Sequence, residues 1–333
     1  MQGMRGENGS KAIVALAGGV GGAKLAHGLQ LALDDPTQLT IIVNTADDFD
    51  LYGLRICPDL DTVMYTLSGL ANPATGWGIR DDTHATLEMI GRYTGQSWFT
   101  LGDRDFATHI IRTERLRQGD LLSEITHDLS AALGIPARLV PMTDDRVATL
   151  IETPDGVLDF QEYFVAHRHQ DHVTGVRFDG ITTATPAAGE LAALAQADAI
   201  IICPSNPIVS VGPILGVPGM RAALANSPAP VVAVSPIVGG QALKGPAAQM
   251  LASLGHEVSS LGVARLYGDT IEGLVIDRAD EALASDIEAL GLRVLVTGTI
   301  MTSDADREQL ARETLDFAMS TTRRDASTGI AHL

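Results

Sequence analysis

Gly18-Gly-Val-Gly-Gly-Ala-Lys24-Leu25 is a glycine-rich run in which backbone amides can approach an anion, and a helix starting there would favour negative charge at its N-terminus. It is a candidate phosphate loop, with Gly18, Gly19, Gly21 and Gly22 as the cradle and Lys24 as its cation. Neither of the two common phosphate signatures fits. Ala23 stands where the Walker A pattern has its last Gly, and Leu25 where it has the Mg-binding Ser or Thr. Counting Gly-x-Gly-x-x from Gly19 lands on Lys24, and the next apolar run ends in Asn44 where the dinucleotide fingerprint has an acid. A plain tight turn is the alternative.

Asn44-Thr-Ala-Asp47-Asp48-Phe-Asp50 and Pro58-Asp59-Leu-Asp61-Thr62 bring carboxylates close behind that loop. Carboxylates converging with a phosphate make an oxygen-rich site suited to Mg²⁺, which keeps several waters and bridges phosphates. Asp59 reads equally as a helix N-cap, and Asp50 as a solvated loop charge. Leu101-Gly-Asp103-Arg104-Asp105-Phe-Ala-Thr-His109 packs charge into one helical turn, either as ligands or as a cap with a salt bridge. In Cys203-Pro-Ser205-Asn206-Pro207-Ile-Val-Ser210-Val-Gly212 two prolines fix a loop, while Ser205, Asn206, Ser210 and the Gly212 amide offer contacts for a second phosphate or a base. Ser235-Pro-Ile-Val-Gly239-Gly240 repeats that arrangement. His167-Arg168-His169-Gln-Asp171-His172 has metal-ligating residue types but no helix to fix their spacing, and reads as a solvated loop.

The elements that must carry these loops follow from the apolar pattern. Ala12-Ile-Val-Ala-Leu-Ala17 and Leu39-Thr-Ile-Ile-Val-Asn44 are continuous apolar runs, as expected of strands buried on both faces of a parallel sheet, and 21–33 between them has helical spacing. Further strands are expected at 199–203, 231–234, 273–276 and 293–296, with helices at 187–196, 218–225, 245–254, 280–290 and 304–319. This alternation predicts an α/β fold with a Rossmann-like, doubly wound, mostly parallel sheet. The middle differs: helices at 80–92, 103–117 and 120–133 precede short strands near 137–141, 146–152 and 173–178. The expected organisation is therefore a nucleotide-binding core of residues 11–69 and 186–320, with 70–185 as an inserted smaller α+β subdomain. Residues 1–10 read as a frayed leader.

Composition narrows the function classes. With 45% hydrophobic and 19% charged residues the chain is an ordinary globular protein, neither disordered nor a disulfide scaffold. Its 41 acids and 23 bases leave a net charge of −18, which repels nucleic acid and anionic membranes, so a phosphate ligand needs local help from amides, single cations or a metal. Two cysteines, Cys57 and Cys203, are too few for a zinc site and read as small buried hydrophobes, which points to a reducing cytoplasm. No apolar run reaches the length of a membrane span.

Together, the glycine run, Asn44-Thr-Ala-Asp-Asp, Pro58-Asp-Leu-Asp-Thr, Leu101-Gly-Asp-Arg-Asp-Phe-Ala-Thr-His, Pro204-Ser-Asn-Pro-Ile-Val-Ser-Val-Gly-Pro-Ile and Val234-Ser-Pro-Ile resemble the 2-phospho-L-lactate transferase family, over about residues 12–320. The resemblance implies transfer of a phospholactyl or phosphoenolpyruvyl group from a guanosine diphosphate-linked donor to the deazaflavin Fo (7,8-didemethyl-8-hydroxy-5-deazariboflavin), with release of GMP, in coenzyme F-420 biosynthesis. It implies Mg²⁺ as cofactor, small-molecule substrates and a homodimer. By position, it places Asp61 and Thr100 against Fo, Asp47 and Asp48 at the metal, and the loops at 18–24, 204–213 and 235–240 around the guanosine diphosphate. Asp61 is then the expected proton acceptor for the attacking hydroxyl. Thr100 stands where relatives often carry Lys or Gly. The competing reading is a non-catalytic nucleotide-sugar-binding regulator of related fold, which shares the first loop but lacks the Pro-Ser-Asn-Pro stretch. A nicotinamide dehydrogenase is disfavoured by the failed fingerprint.

Overall fold

The computed structural model describes residues 11–95 and 98–323; the expected leader at 1–10 lies outside them. The chain opens with β1 (Ile13–Ala17), α1 (Gly19–Ala32) and β2 (Leu39–Val43), then a tight hairpin of β3 (Phe49–Leu51) and β4 (Leu54–Ile56), followed by α2 (Pro58–Leu67). Next come α3 (Ala85–Thr94), α4 (Asp103–Gln118), α5 (Leu122–Ala132), β5 (Arg138–Pro141), β6 (Ala148–Thr153), β7 (Gly156–Asp159) and β8 (Gly175–Asp179). The second half runs α6 (Glu190–Gln196), β9 (Ala199–Ile202), α7 (Val211–Gly216), α8 (Met220–Asn226), β10 (Val231–Val234) and a small hairpin of β11 (Ile237–Val238) and β12 (Gln241–Ala242). It ends with α9 (Ala247–Ser253), α10 (Ser260–Tyr267), β13 (Gly273–Asp277), α11 (Ala284–Ala289), β14 (Arg293–Thr297) and α12 (Asp304–Met319).

Seven strands form one sheet in the order β14-β13-β10-β9-β1-β2-β5, and every pairing in it is parallel. The apolar runs explain this. All five residues of β1 are buried, and they alternate between two cores: Ile13, Ala15 and Ala17 pack with α1, α2 and α12, whereas Val14 and Leu16 pack with α7, α8 and α10. The expected α/β doubly wound class is thus the observed one.

One strand lies elsewhere than expected. Segment 137–141, read as part of the insertion, forms β5 and pairs with β2 in parallel from Thr40↔Arg138 to Val43↔Pro141, so it is an edge strand of the main sheet. The α3–α4 region therefore leaves the core and the chain returns to it before β6, β7 and β8 build a separate three-stranded antiparallel sheet. The physical reason is that α5 and β5 make an ordinary helix-then-strand crossover back to β2, a pattern hidden by the helices that precede it. Asp50 lies on the β3–β4 hairpin, where it meets Arg55 and Arg146, and not in an open loop.

The chain leaves β1 for β2 on one side, while β9 lies on the other. The direction of winding reverses here, and the crevice beyond the carboxyl ends of such strands is where ligands of these sheets bind. Among the described residues no helix is long and apolar enough to cross a membrane.

Candidate functional site

The glycine run sits at that crevice. Gly18 continues the strand in an extended conformation, and α1 begins at Gly19 without a side-chain cap. The first amides of a helix have no intrahelical acceptor. Here the Gly18 N–H donates to Ser205 Oγ at 3.0 Å and the Gly19 N–H to Asp59 Oδ1 at 2.8 Å, which leaves the amides of Val20 and Gly21 at the positive end of the helix. Gly21 and Gly22 are needed for close approach: a Cβ on Gly21 would stand 2.3 Å from the Pro204 carbonyl oxygen, and one on Gly22 2.5 Å from Ser205 Oγ. The loops after β1 and β9 are therefore in backbone contact across the switch point.

Other expected nucleotide contacts are spent on holding the loops. Asn206 Oδ1 accepts from the Ile208 amide at 2.9 Å, and the Ser235 hydroxyl donates to the Ile237 carbonyl at 3.0 Å. The single hydroxyl proton of Ser260 has Ser235 Oγ at 3.0 Å and Asp280 Oδ2 at 3.1 Å within reach, and Asp280 accepts the Gly239 amide. Ser210 is buried beside Gly18, and Gly212 lies in the first turn of α7 against Pro207 and Phe178. Lys24 points elsewhere than the cradle: its ammonium donates to the Met301 carbonyl at 2.8 Å.

The acidic segments divide into two groups. In the first, buried Asn44 donates through Nδ2 to both Asp47 Oδ2 (3.1 Å) and Asp59 Oδ2 (3.0 Å), while its Oδ1 accepts the Ala46 amide at 3.0 Å. Asp47 Oδ1 is buried without a partner. Burial and the neighbouring Asp59 push the Asp47 carboxyl well above the ordinary range, and burial lifts Asp59 to about 6 against the hydrogen bonds from Asn44 and Gly19. Asp59 is not the cap of α2, since the N-cap position is Cys57. It joins the glycine loop to Asn44 and Asp47 instead.

The second group lies around α4. Asp61 is gripped by Arg112, which donates through Nη1 to Oδ2 at 3.1 Å and through Nη2 to Oδ1. His109 Nδ1 stands 3.6 Å from Asp61 and its Nε2 3.2 Å from Asp105, and the Tyr65 hydroxyl donates to Asp105 at 2.7 Å. Asp61, Asp105 and His109 cluster within 4.8 Å, as metal ligands could. The guanidinium already occupies both Asp61 oxygens, so this is a closed ion-pair network. Asp48 lies between the groups, its buried oxygens met, among the described residues, by no nitrogen or oxygen donor and only by the Cys57 thiol. Burial raises its carboxyl to about 7, opposed by Arg55, the Cys57 thiol and Arg112.

Thr100 is exposed just before α4. Beside it is a feature that sequence reasoning missed: Phe49, Trp98 and Phe99 form an aromatic trio, with ring centroids 4.9–5.9 Å apart. The bulky residues at 98 and 99 were a visible signal, but only the β3–β4 hairpin brings Phe49 to them. The 167–172 segment behaves as a loop: His167 and His172 are exposed, His167 pairs with Asp171 at 2.8 Å, and His169 meets Gln249 at 2.9 Å. Cys57 and Cys203 are buried free thiols.

Comparison with known proteins adds to this geometry. The family model described as 2-phospho-L-lactate transferase CofD matches residues 13–312. A phosphoenolpyruvate transferase of Kitasatospora aureofaciens is 44% identical over 312 residues, covering 92% of this chain and 97% of that protein. A 2-phospho-L-lactate transferase of Methanosarcina mazei is 41% identical over 300 residues, covering 90% of this chain and 98% of that protein. A crystal structure of a UPF0052-family protein from Bacillus halodurans has the same fold, with a TM-score of 0.64, 16% identity and coverage of 92% of this chain and 99% of that one.

Proposed function

The chain belongs to the 2-phospho-L-lactate transferase family, and we propose on that premise that it transfers a phosphorylated three-carbon acid, phosphoenolpyruvyl or phospholactyl, from a guanosine diphosphate-linked donor to the ribityl hydroxyl of Fo. The hydroxyl oxygen forms the new bond to the phosphorus that carries the acid, the bond from that phosphorus to the GMP oxygen breaks, and the hydroxyl proton passes to a carboxylate. Such a displacement needs in-line positioning and charge neutralisation more than covalent catalysis.

The observation that carries this reading is the bridge from the Gly19 amide through Asp59 and Asn44 to Asp47. It ties the open end of α1 to a pair of buried carboxylates that, among the described residues, no cation pairs with. The free amides suit the diphosphate. Asp47 and Asp59 suit Mg²⁺: Asp47 has an orphaned buried oxygen, and both carboxyls are held above their ordinary range by burial. This modifies the expected Asp47–Asp48 pair, because Asp48 looks toward Arg55, Cys57 and Arg112. When bound there, the metal would offset the charge of the diphosphate.

Asp48 is the carboxylate best placed chemically to take the proton. A base is most effective with its pKa near the working pH, and Asp48 stands at about 7 with no cation paired to it among the described residues. Asp61, the acceptor expected from the sequence, acts through its pair with Arg112 as a support for α2 and α4. In the aromatic trio beside Thr100 the rings meet tilted or edge to face, and exposed Trp98 offers one ring on which a deazaflavin can stack.

The test is direct. Purified protein with Mg²⁺, Fo and each of the lactyl, enolpyruvyl and glyceryl donors should release GMP and give an adduct whose mass identifies the acid. If no donor yields GMP or an adduct, the reading fails.

A further inference from the structure

A cavity of about 310 Å³ opens between α1, the loop at 69–80 and the start of α12, lined by none of the four carboxylates Asp47, Asp48, Asp59 and Asp61. Its walls carry Lys24, His27, Arg80 and Arg307, with Asp304 as the one carboxylate among the lining residues. Three cations against one acid is an unusual local balance in a chain of net charge −18. The hydrogen bonds show what remains open. Lys24 gives one of its three protons to the Met301 carbonyl at 2.8 Å, and Arg80 donates through Nη2 to the Gly69 carbonyl at 3.2 Å. Arg307 Nη1 bridges Asp304 Oδ1 at 3.0 Å and His27 Nδ1 at 3.1 Å.

The last contact fixes the histidine. A guanidinium has only donors, so His27 Nδ1 must accept, and the ring is the neutral tautomer with its proton on Nε2. Burial, and then Arg307, hold His27 below its ordinary range, with Asp304 opposing. The same two influences, burial first, lower Lys24, together with Lys244, whose ammonium caps the Thr75 carbonyl at 2.6 Å near the rim. The charges of Lys24, Arg80 and Arg307 thus line one space beside a neutral imidazole, with Asp304 as their one lining counter-charge. An oxyanion would satisfy them.

We infer that this cavity is a second anion site, which takes a small phosphate-bearing molecule and is distinct from the nucleotide crevice. Its volume lies at the lower limit for small-molecule pockets, and Val20 in the first turn of α1 lines it. An anion bound there would therefore bear on the helix whose first amides face the crevice. Inorganic phosphate and phosphoenolpyruvate are the probes, since they share the phosphate and differ in the carboxylate.

Each probe is titrated calorimetrically into protein saturated with GDP, so that the nucleotide crevice is filled. One phosphate site should remain. Exposed Arg80→Gln should weaken it about tenfold, and Arg80→Gln with Arg307→Gln should abolish it, while GDP affinity stays within about twofold of wild type. Tighter binding of phosphoenolpyruvate than of phosphate would identify a phosphorylated acid as the occupant, and equal binding a phosphate group alone. The inference is overturned if GDP saturation removes all phosphate binding, if no probe binds at millimolar concentration, or if the variants, shown to be folded by circular dichroism, bind phosphate as the wild type does.

Discussion

Replacing Asp48 by Asn should make the folded protein more stable in alkali and poor as a catalyst. The residue is 6% exposed, its carboxyl is met only by the Cys57 thiol, and burial raises that carboxyl to about 7. Below pH 3.8 the group is protonated in folded and unfolded chains alike and costs nothing. Between 3.8 and about 7 only the unfolded chain releases the proton, so stability falls as pH rises; above about 7 the cost is complete. Across that range, at about 1.4 kcal/mol per pH unit, the ionised carboxyl costs the fold about 4 kcal/mol. Asparagine keeps the shape and removes the charge, but its buried amide lacks a partner, at about 1–3 kcal/mol. The variant should therefore be about 1–3 kcal/mol more stable than wild type at pH 8 and about equal near pH 5, a swing of about 3 kcal/mol. Urea unfolding of both proteins at the two pH values, in chelator-treated buffer, measures it. Turnover should fall roughly 10²–10⁴-fold if Asp48 accepts the proton. A stability difference independent of pH would refute the electrostatic argument, and wild-type turnover would remove Asp48 from the chemistry.

Two further substitutions probe the supports. Gly21→Ala places a methyl 2.3 Å from the Pro204 carbonyl oxygen, so the loops after β1 and β9 must part; GDP affinity by titration should drop at least tenfold, and unchanged affinity would mean that the nucleotide does not use this loop. Arg112→Ala leaves the Asp61 charge buried with only His109 beside it and should cost about 3–5 kcal/mol in denaturant unfolding, with much of it recovered by adding Asp61→Asn; a cost below about 1 kcal/mol would show that the pair opens readily and return Asp61 to candidacy as the proton acceptor.

What the sequence made legible and what it hid divide along physical lines. The strands of the main sheet were legible because burial on both faces demands unbroken apolar runs, and Ile13–Ala17 and Leu39–Val43 satisfy that demand locally. The glycine loop was legible for the same kind of reason: a helix that opens on Gly18-Gly19 without a side-chain cap advertises amides in need of an acceptor. β5 was hidden, because a four-residue strand after three helices gives no sign of which sheet it joins, and its register with β2 is decided by tertiary contact.

The same distinction governs the carboxylates. Asp47, Asp48, Asp59 and Asp61 look alike in sequence, lying within fifteen residues of one another, yet each has a different neighbour in the fold. Asp59 meets a glycine amide 40 residues away and Asp61 a guanidinium 51 residues away. The family resemblance made Asp61 the expected proton acceptor, and helix-start position offered a cap as one reading of Asp59. The packing of α1 and α4 against α2 reverses this, since it neutralises Asp61 with Arg112 and turns Asp59 toward the open end of α1. A residue type announces that a proton or a metal can be held. Whether it is held depends on which charge the fold brings beside it, and three of these four acids are brought none close enough to pair. Their ionisation weakens the fold near neutral pH, and a cost of that size is what a site kept ready for a cation and an acidic proton would impose.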